Sequence, residues 1–200
     1  MNILYVHGIG SNGKGNTVRL MKQYFTEHNV YSFDIPFDPD EAINFIKNKC
    51  AELDINVIVG TSLGGFYTMQ IHGYQKILIN PAIKAFNTVK NIIGMGTHDY
   101  LGEREDGIQK YTIDSVFIEK LKDQFNTYSN NMDEELRKET YALFGNNDEV
   151  CDFRKEFQDI YGTAQFWTAD FGHRLTENIF KNNFIPIFER VEKDFKERVW

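Results

Sequence analysis

Two hundred residues, 42% hydrophobic and 26% charged, is the composition of one ordinary soluble domain with room for an insertion, and a chain this long buries about 70% of its unfolded surface without a disulfide or a metal. Seventeen Phe and ten Tyr exclude disorder as the main state. The net charge of −7, from 22 basic and 29 acidic residues, argues against nucleic acid, whose binding rests largely on Lys and Arg neutralising phosphates, and does not favour an anionic membrane surface.

The chain opens Met1-Asn2-Ile3-Leu4-Tyr5-Val6-His7-Gly8, without the basic region and long apolar stretch of a signal peptide. No run approaches the ~18 apolar residues of a membrane helix, so a cytoplasmic, reducing setting and no membrane partner are expected. Short apolar runs then alternate with helical patterns, the mark of βαβ units and a mostly parallel sheet. Ile3–His7 reads as the first strand. Over 16–27, Val18, Met21 and Phe25 share one helical face, with Leu20 and Tyr24 beside them. Val30–Asp34 is a second strand. Asp38-Pro39 reads as an N-cap with proline at the first helical position, and Ile43, Ile46, Cys50 and Leu53 stripe the helix that follows. Ile55–Gly60 is a third strand, running through Thr61-Ser62-Leu63-Gly64-Gly65 into a helix that extends to about His72. Lys76–Asn80 is a fourth strand, stopped by Pro81; Thr140–Phe144 is a fifth and Thr163–Thr168 a sixth. Val150, Phe153, Phe157 and Ile160 mark the helix between the last two, and Phe184, Phe188, Val191 and Phe195 mark the final helix. The two cysteines, Cys50 and Cys151, both fall in segments that read as helical and show no CxxC or metal-type spacing, so they are expected to be buried, idle thiols.

Residues from about 82 to 138 separate strands four and five by far more than a βα connection needs. Ile118, Leu121 and Phe125 have helical spacing there, whereas Gly94–Gly107 has no period. The segment is expected to form a cap-like insertion on a single domain spanning 1–200.

The loop His7-Gly8-Ile9-Gly10-Ser11-Asn12-Gly13-Lys14-Gly15 admits several readings. Gly8, Gly10 and Gly13 satisfy G-x-G-x-x-G, and Asp34 ends the next strand where a ribose-binding acid would sit. Gly8 and Gly13-Lys14 also approach the P-loop pattern, but Gly15 stands where a Mg²⁺-binding hydroxyl is required. The remaining functional reading is a loop that points a backbone N–H at a developing oxyanion; a plain glycine turn is the bland one.

Gly60-Thr61-Ser62-Leu63-Gly64 matches G-x-S-x-G between a strand and a helix, the context that motif requires. The serine needs a tight turn, small neighbours and a base. The N–H of Leu63 faces the same space as Ser62 Oγ at the helix N-terminus. Of the five histidines, His173 alone lies past strand six. His7 reads as shaping its loop, His28 and His72 as helical surface residues, and His98 as a residue of the insertion. Asp148 follows strand five, on the same sheet edge, where it could equally cap a helix; Asp152 and Asp170 are the other candidate acids. Ser62, Asp148 and His173 follow the chain order Ser…Asp…His of one known template.

These residues resemble the α/β-hydrolase superfamily over the whole chain. The strings YVHGIGS, VGTSLGG, LINPA, YLGE, GNNDEV and GHR are similar to the small bacterial esterases of the YqiA/YcfP-like group. The resemblance implies a three-layer α/β-hydrolase fold with a trimmed, about six-stranded parallel sheet and a cap insertion after the fourth strand. It also implies an oxyanion hole made by the N–H groups of Ile9 and Leu63. One departure stands out: an aromatic is expected after the histidine, and this chain has Arg174. The expected activity is a serine carboxylesterase or thioesterase acting on a small-molecule acyl ester or thioester through Ser62, His173 and Asp148, with no metal or organic cofactor. Phe86, Met95 and Tyr100, with Ile92 and Ile93, are expected to roof the substrate site. The rival readings are a nucleotide-binding module on the Gly8–Gly15 loop and a non-catalytic hydrolase-fold binding protein.

Overall fold

In the computed structural model, which describes residues 1–198, six parallel strands form the central sheet. They are β1 (Asn2–Val6), β2 (Asn29–Ser32), β3 (Val57–Thr61) and β4 (Gln75–Ile79), then, beyond a small hairpin of β5 (Gly96–Asp99) and β6 (Lys110–Ile113), β7 (Thr140–Gly145) and β8 (Phe166–Ala169). The order across the sheet is β2-β1-β3-β4-β7-β8, so the chain winds outward from β1 and then reverses, leaving the carboxyl ends of β1 and β3 beside each other at the switch.

Both faces of the central strands are buried, and the period of two decides which side chain serves which layer. Leu4, Val6, Ile58, Leu78, Ala142 and Phe144 point into one core. There they meet α2 (Pro39–Glu52), α3 (Leu63–Met69), α5 (Ser115–Asn130) and α7 (Arg154–Tyr161). Ile3, Tyr5, Val57, Val59, Ile77, Tyr141 and Leu143 point into the other, against α1 (Asn16–Tyr24) and the C-terminal helix. That helix runs from α8 (Glu177–Ile179) through a π-helical turn at Phe180–Phe184 into α9 (Ile185–Arg198). Asp38 caps α2 by accepting the N–H groups of Asp40 and Glu41, with Pro39 at the first helical position, as the Asp-Pro pair predicts. Lys76, in the middle of the sheet, is fully buried and survives there because Glu139 Oε2 lies 3.1 Å from its Nζ and the Tyr74 carbonyl 2.8 Å away.

The insertion comprises α4 (Ala85–Thr88), a π-helical turn at Val89–Ile93, the β5–β6 hairpin, α5 and α6 (Glu134–Lys138). The hairpin departs from the expectation of an aperiodic stretch. Three of the four β5 residues are exposed, so no apolar alternation marks that strand. Two further expectations need correction. Val150–Phe153 is not helical, and α7 starts at Arg154, because Asp148 Oδ1 takes the N–H groups of Val150 and Cys151 in a local turn that competes with helix. Cys151 therefore lies in a loop, and His28 and His72 also lie outside helices. No helix among the described residues is long and apolar enough to cross a membrane.

Candidate active site

Ser62 sits between β3 and α3 with φ 54° and ψ −122°, a conformation costly for any residue with a β-carbon. Its backbone is fixed on both sides: the N–H donates to the Ile79 carbonyl, and its own carbonyl accepts from Phe66 and Ala82. The elbow passes so close to β1 that a β-carbon at Gly64 would stand 2.3 Å from the Val6 carbonyl oxygen. This close approach is the physical content of the second glycine in G-x-S-x-G. The side chain of Ser62 makes no helix-capping bond.

His173 follows β8 and Asp148 follows β7, both at the carboxyl edge that carries Ser62. His173 Nδ1 lies 2.9 Å from Asp148 Oδ2 and 3.1 Å from Oδ1. Since the carboxylate accepts, Nδ1 carries the proton and Nε2 is left as the basic nitrogen. Burial alone would raise the Asp148 pKa, but hydrogen bonds from His173 and from the N–H groups of Cys151 and Val150 outweigh it and hold the carboxyl below its usual range. Asp148 is thus both the turn cap and the imidazole's partner. The other two acids are engaged elsewhere: Asp152 pairs with Arg154, and Asp170 accepts from the Asn147 amide.

Ser62 and His173 line one cavity of about 400 Å³, together with Gly8, Ile9 and Leu63. A β-carbon at Gly8 would stand 3.0 Å from Ser62 Cβ, so the glycine loop runs directly over the serine. Ile9 and Leu63 offer backbone N–H groups that no acceptor takes up among the described residues. Ser62 Oγ has one polar side-chain neighbour, Cys151 Sγ at 3.9 Å, and makes no hydrogen bond to His173; such contacts commonly tighten only when substrate is bound. Cys151 is buried as expected, but in a loop beside the serine and not in a helix. Its thiol pKa is pushed up to about 12, chiefly by burial.

The glycine loop is held from the insertion side. His7 Nε2 accepts the Ile35 N–H at 3.0 Å and Nδ1 donates to the Gly8 carbonyl at 2.9 Å; burial keeps this imidazole's pKa low, consistent with a neutral ring shaping its loop. Arg104, buried and stacked 4.4 Å from the Tyr100 ring centroid, donates to the Ile35 carbonyl. Leu101 N–H bonds to the Gly10 carbonyl at 2.7 Å. Asp34 accepts from Gly13 N–H at 2.8 Å and Glu105 N–H at 2.5 Å. The carboxylate that a dinucleotide reading assigns to a ribose is therefore occupied in tying the glycine loop to the insertion.

Of the expected roof residues, Ile92 and Ile93 line the cavity, whereas Phe86, Met95 and Tyr100 do not. Val89 and Leu101 line it as well. Phe86 instead packs on Phe125, with ring centroids 5.7 Å apart. Met95 is half exposed beyond the cavity. Tyr100 packs against Tyr111 and Arg104 and lines a small recess that adjoins the cavity at Gly8, Ile9 and Leu63. In the π-helical turn at Val89–Ile93 only Val89 is buried, while Ile92 and Ile93 line the cavity from its open side. His98 stacks on Tyr111 in β5, away from Ser62.

One positioning residue went unnoticed in the sequence. Asn80, fully buried with φ 44°, donates its amide to the carbonyls of Gly172 and His173 and accepts the Gly145 N–H at 2.7 Å. It fastens the His173 loop to the end of β7, from which Asp148 hangs. Only the Pro after it in Ile79-Asn80-Pro81 hinted at a fixed turn. Asn80→Ala leaves the buried Gly145 N–H and the part-buried Gly172 and His173 carbonyls short of a partner, at about 1–3 kcal/mol for a buried group left fully unsatisfied. It is expected to lower Tm by several degrees and to lower kcat more than it raises KM. Unchanged kcat in the folded variant would remove Asn80 from the site.

The α/β-hydrolase fold is shared with solved structures at low identity. A monoacylglycerol lipase of Paleococcus ferrophilus is 16% identical, with 98% of this chain and 94% of that chain covered at a TM-score of 0.63. A soluble variant of the Saccharomyces cerevisiae monoglyceride lipase is 14% identical, with 96% and 86% covered at 0.64. Mouse alpha/beta hydrolase domain-containing protein 10 is 14% identical, with 100% and 90% covered at 0.62. The model of the uncharacterised protein family UPF0227 matches residues 2–188, and this chain, with its six-stranded sheet and Ser62 elbow, is a member of UPF0227.

Proposed function

We propose that the protein is a serine hydrolase of carboxylic esters or thioesters. The observation that carries this reading is a strained serine sharing one cavity with a histidine whose other ring nitrogen is held by a buried carboxylate. His173 Nε2 takes the Ser62 proton as Oγ forms a bond to the acyl carbon. The Ile9 and Leu63 N–H groups meet the resulting oxyanion; losing one such donor costs about 2.7–4 kcal/mol. Collapse breaks the bond to the leaving oxygen or sulfur, which receives the proton from His173. Water then adds to the acyl-enzyme, its proton passing to His173 and returning to Ser62 as the acid leaves. The lipases that share the fold are compatible with ester chemistry at this site.

A fluorophosphonate probe is expected to label the native protein at a single residue, mapped by peptide mass spectrometry to Ser62, with release of p-nitrophenol from short acyl esters. An adduct elsewhere, or no adduct at all, removes this reading.

A further inference from the structure

Arg174 is the residue after the proposed base and is among the residues lining the cavity that holds Ser62. Apart from His173, it is the only Lys, Arg, His, Asp or Glu lining that cavity among the described residues. It has neither a carboxylate within 4.0 Å nor a hydrogen-bond partner there, although the chain is strongly acidic. Its backbone is nonetheless held on both sides. Asn80 grips the Gly172 and His173 carbonyls, and the Asn16 amide reaches the Leu175 carbonyl at 3.3 Å. Arg174 is exposed, so a cation without a protein partner stands at the solvent-facing rim of the cavity.

Much of the remaining wall is apolar, with Val89, Ile92, Ile93 and Val150 prominent. A cavity with one free cation and an aliphatic wall suits an amphiphilic molecule. The base decides which half of that molecule meets the cation, because His173 must deliver its proton to the departing oxygen or sulfur. An exposed cation on the rim of the same cavity is within reach of a leaving group that projects toward solvent, while the aliphatic wall is left for the acyl chain.

We infer that Arg174 selects substrates whose alcohol or thiol half carries an anion, a carboxylate or a phosphate, esterified to an aliphatic acyl group. This deepens the hydrolase reading and rests on it. Arginine suits the task, since its fork pairs either anion with two parallel hydrogen bonds.

The test compares 4-(butanoyloxy)benzoate with its neutral methyl ester, taking the ratio of their kcat/KM values so that intrinsic leaving-group reactivity cancels between enzyme forms. In Arg174→Gln that ratio is expected to fall about 10- to 100-fold, the range for one charge-assisted hydrogen-bonded contact, mainly through KM of the anionic ester. Arg174→Lys should retain only part of the ratio, since an ammonium supplies the charge without the bidentate fork. In the unmodified enzyme the ratio should also decline as salt rises, a measurement that depends on no variant. A ratio indifferent to both substitution and salt, with both esters turned over, overturns the inference and leaves the hydrolase intact. If the unmodified enzyme turns over neither ester, the hydrolase reading fails and the inference with it.

Discussion

Replacing Ser62 with alanine is expected to lower kcat on p-nitrophenyl butanoate by roughly 10⁵- to 10⁶-fold, the scale on which a nucleophilic serine and its base act as one unit. The residual rate would come from the oxyanion donors and binding, which the substitution leaves in place. Cys151 offers no substitute nucleophile. Its sulfur sits 3.9 Å from Ser62 Oγ, but the thiol pKa is raised to about 12, so almost none is thiolate near neutral pH. Stability should move little, because Ser62 makes no side-chain cap bond to α3 and alanine occupies the same backbone conformation with the same β-carbon. Kinetics and a thermal melt on one preparation separate the outcomes. Retained turnover in a folded variant would place the nucleophile elsewhere.

Asp148→Asn should cost about 10⁴-fold in kcat, for a reason confined to one proton. The asparagine oxygen can still accept the N–H groups of Val150 and Cys151, so the turn before α7 survives. Its amide NH₂ would then face His173 Nδ1 as a donor. The imidazole would be driven to carry its proton on Nε2, where no base remains. Asp148→Ala would lose activity and also leave the buried Cys151 N–H unpaired, so its Tm should fall below that of the asparagine variant. The pH dependence of stability follows from the same carboxyl. Its pKa is depressed in the folded protein, so its stabilising contribution is fully present above the unfolded value of about 3.9 and is lost as pH falls through the folded value. Asp148→Asn should flatten that part of the acid-unfolding curve. Equal kcat for Asp148→Asn and the unmodified protein would end the case for this acid.

Both predictions rest on residues legible in the chain before folding is considered. G-x-S-x-G declares itself because an elbow that tight admits only small neighbours, and the chain order of serine, acid and histidine follows from which strand ends share a sheet edge. Strand positions were visible for the same kind of reason. Strands buried on both faces, such as β1 and β3, read as near-continuous apolar runs, and few other segments satisfy that demand.

Other features are set by contacts between distant segments and leave no local pattern. β5 is exposed and so carries no alternation. Asn80 acquires its role only when β4, β7 and the His173 loop meet around its amide. Of the expected roof residues Ile92 and Ile93 line the cavity, whereas Val89 and Leu101 stand there in place of Phe86, Met95 and Tyr100, because a π-helical turn and a docked hairpin set their directions. Asp34 and Lys76 show the same dependence from opposite sides. One could pass for a ribose ligand and instead ties two loops together; the other is a lysine inside a central strand, tolerable only beside Glu139.

Length, composition and motif order were thus sufficient for the fold class and for the three residues proposed to carry the chemistry, since steric and burial demands act on near neighbours in sequence. The tertiary structure alone decided the turn and tautomer that Asp148 imposes, the clamp of the insertion on the glycine loop, and the uncompensated charge of Arg174. Each of these depends on which polar group finds a partner across a long sequence separation and which finds none.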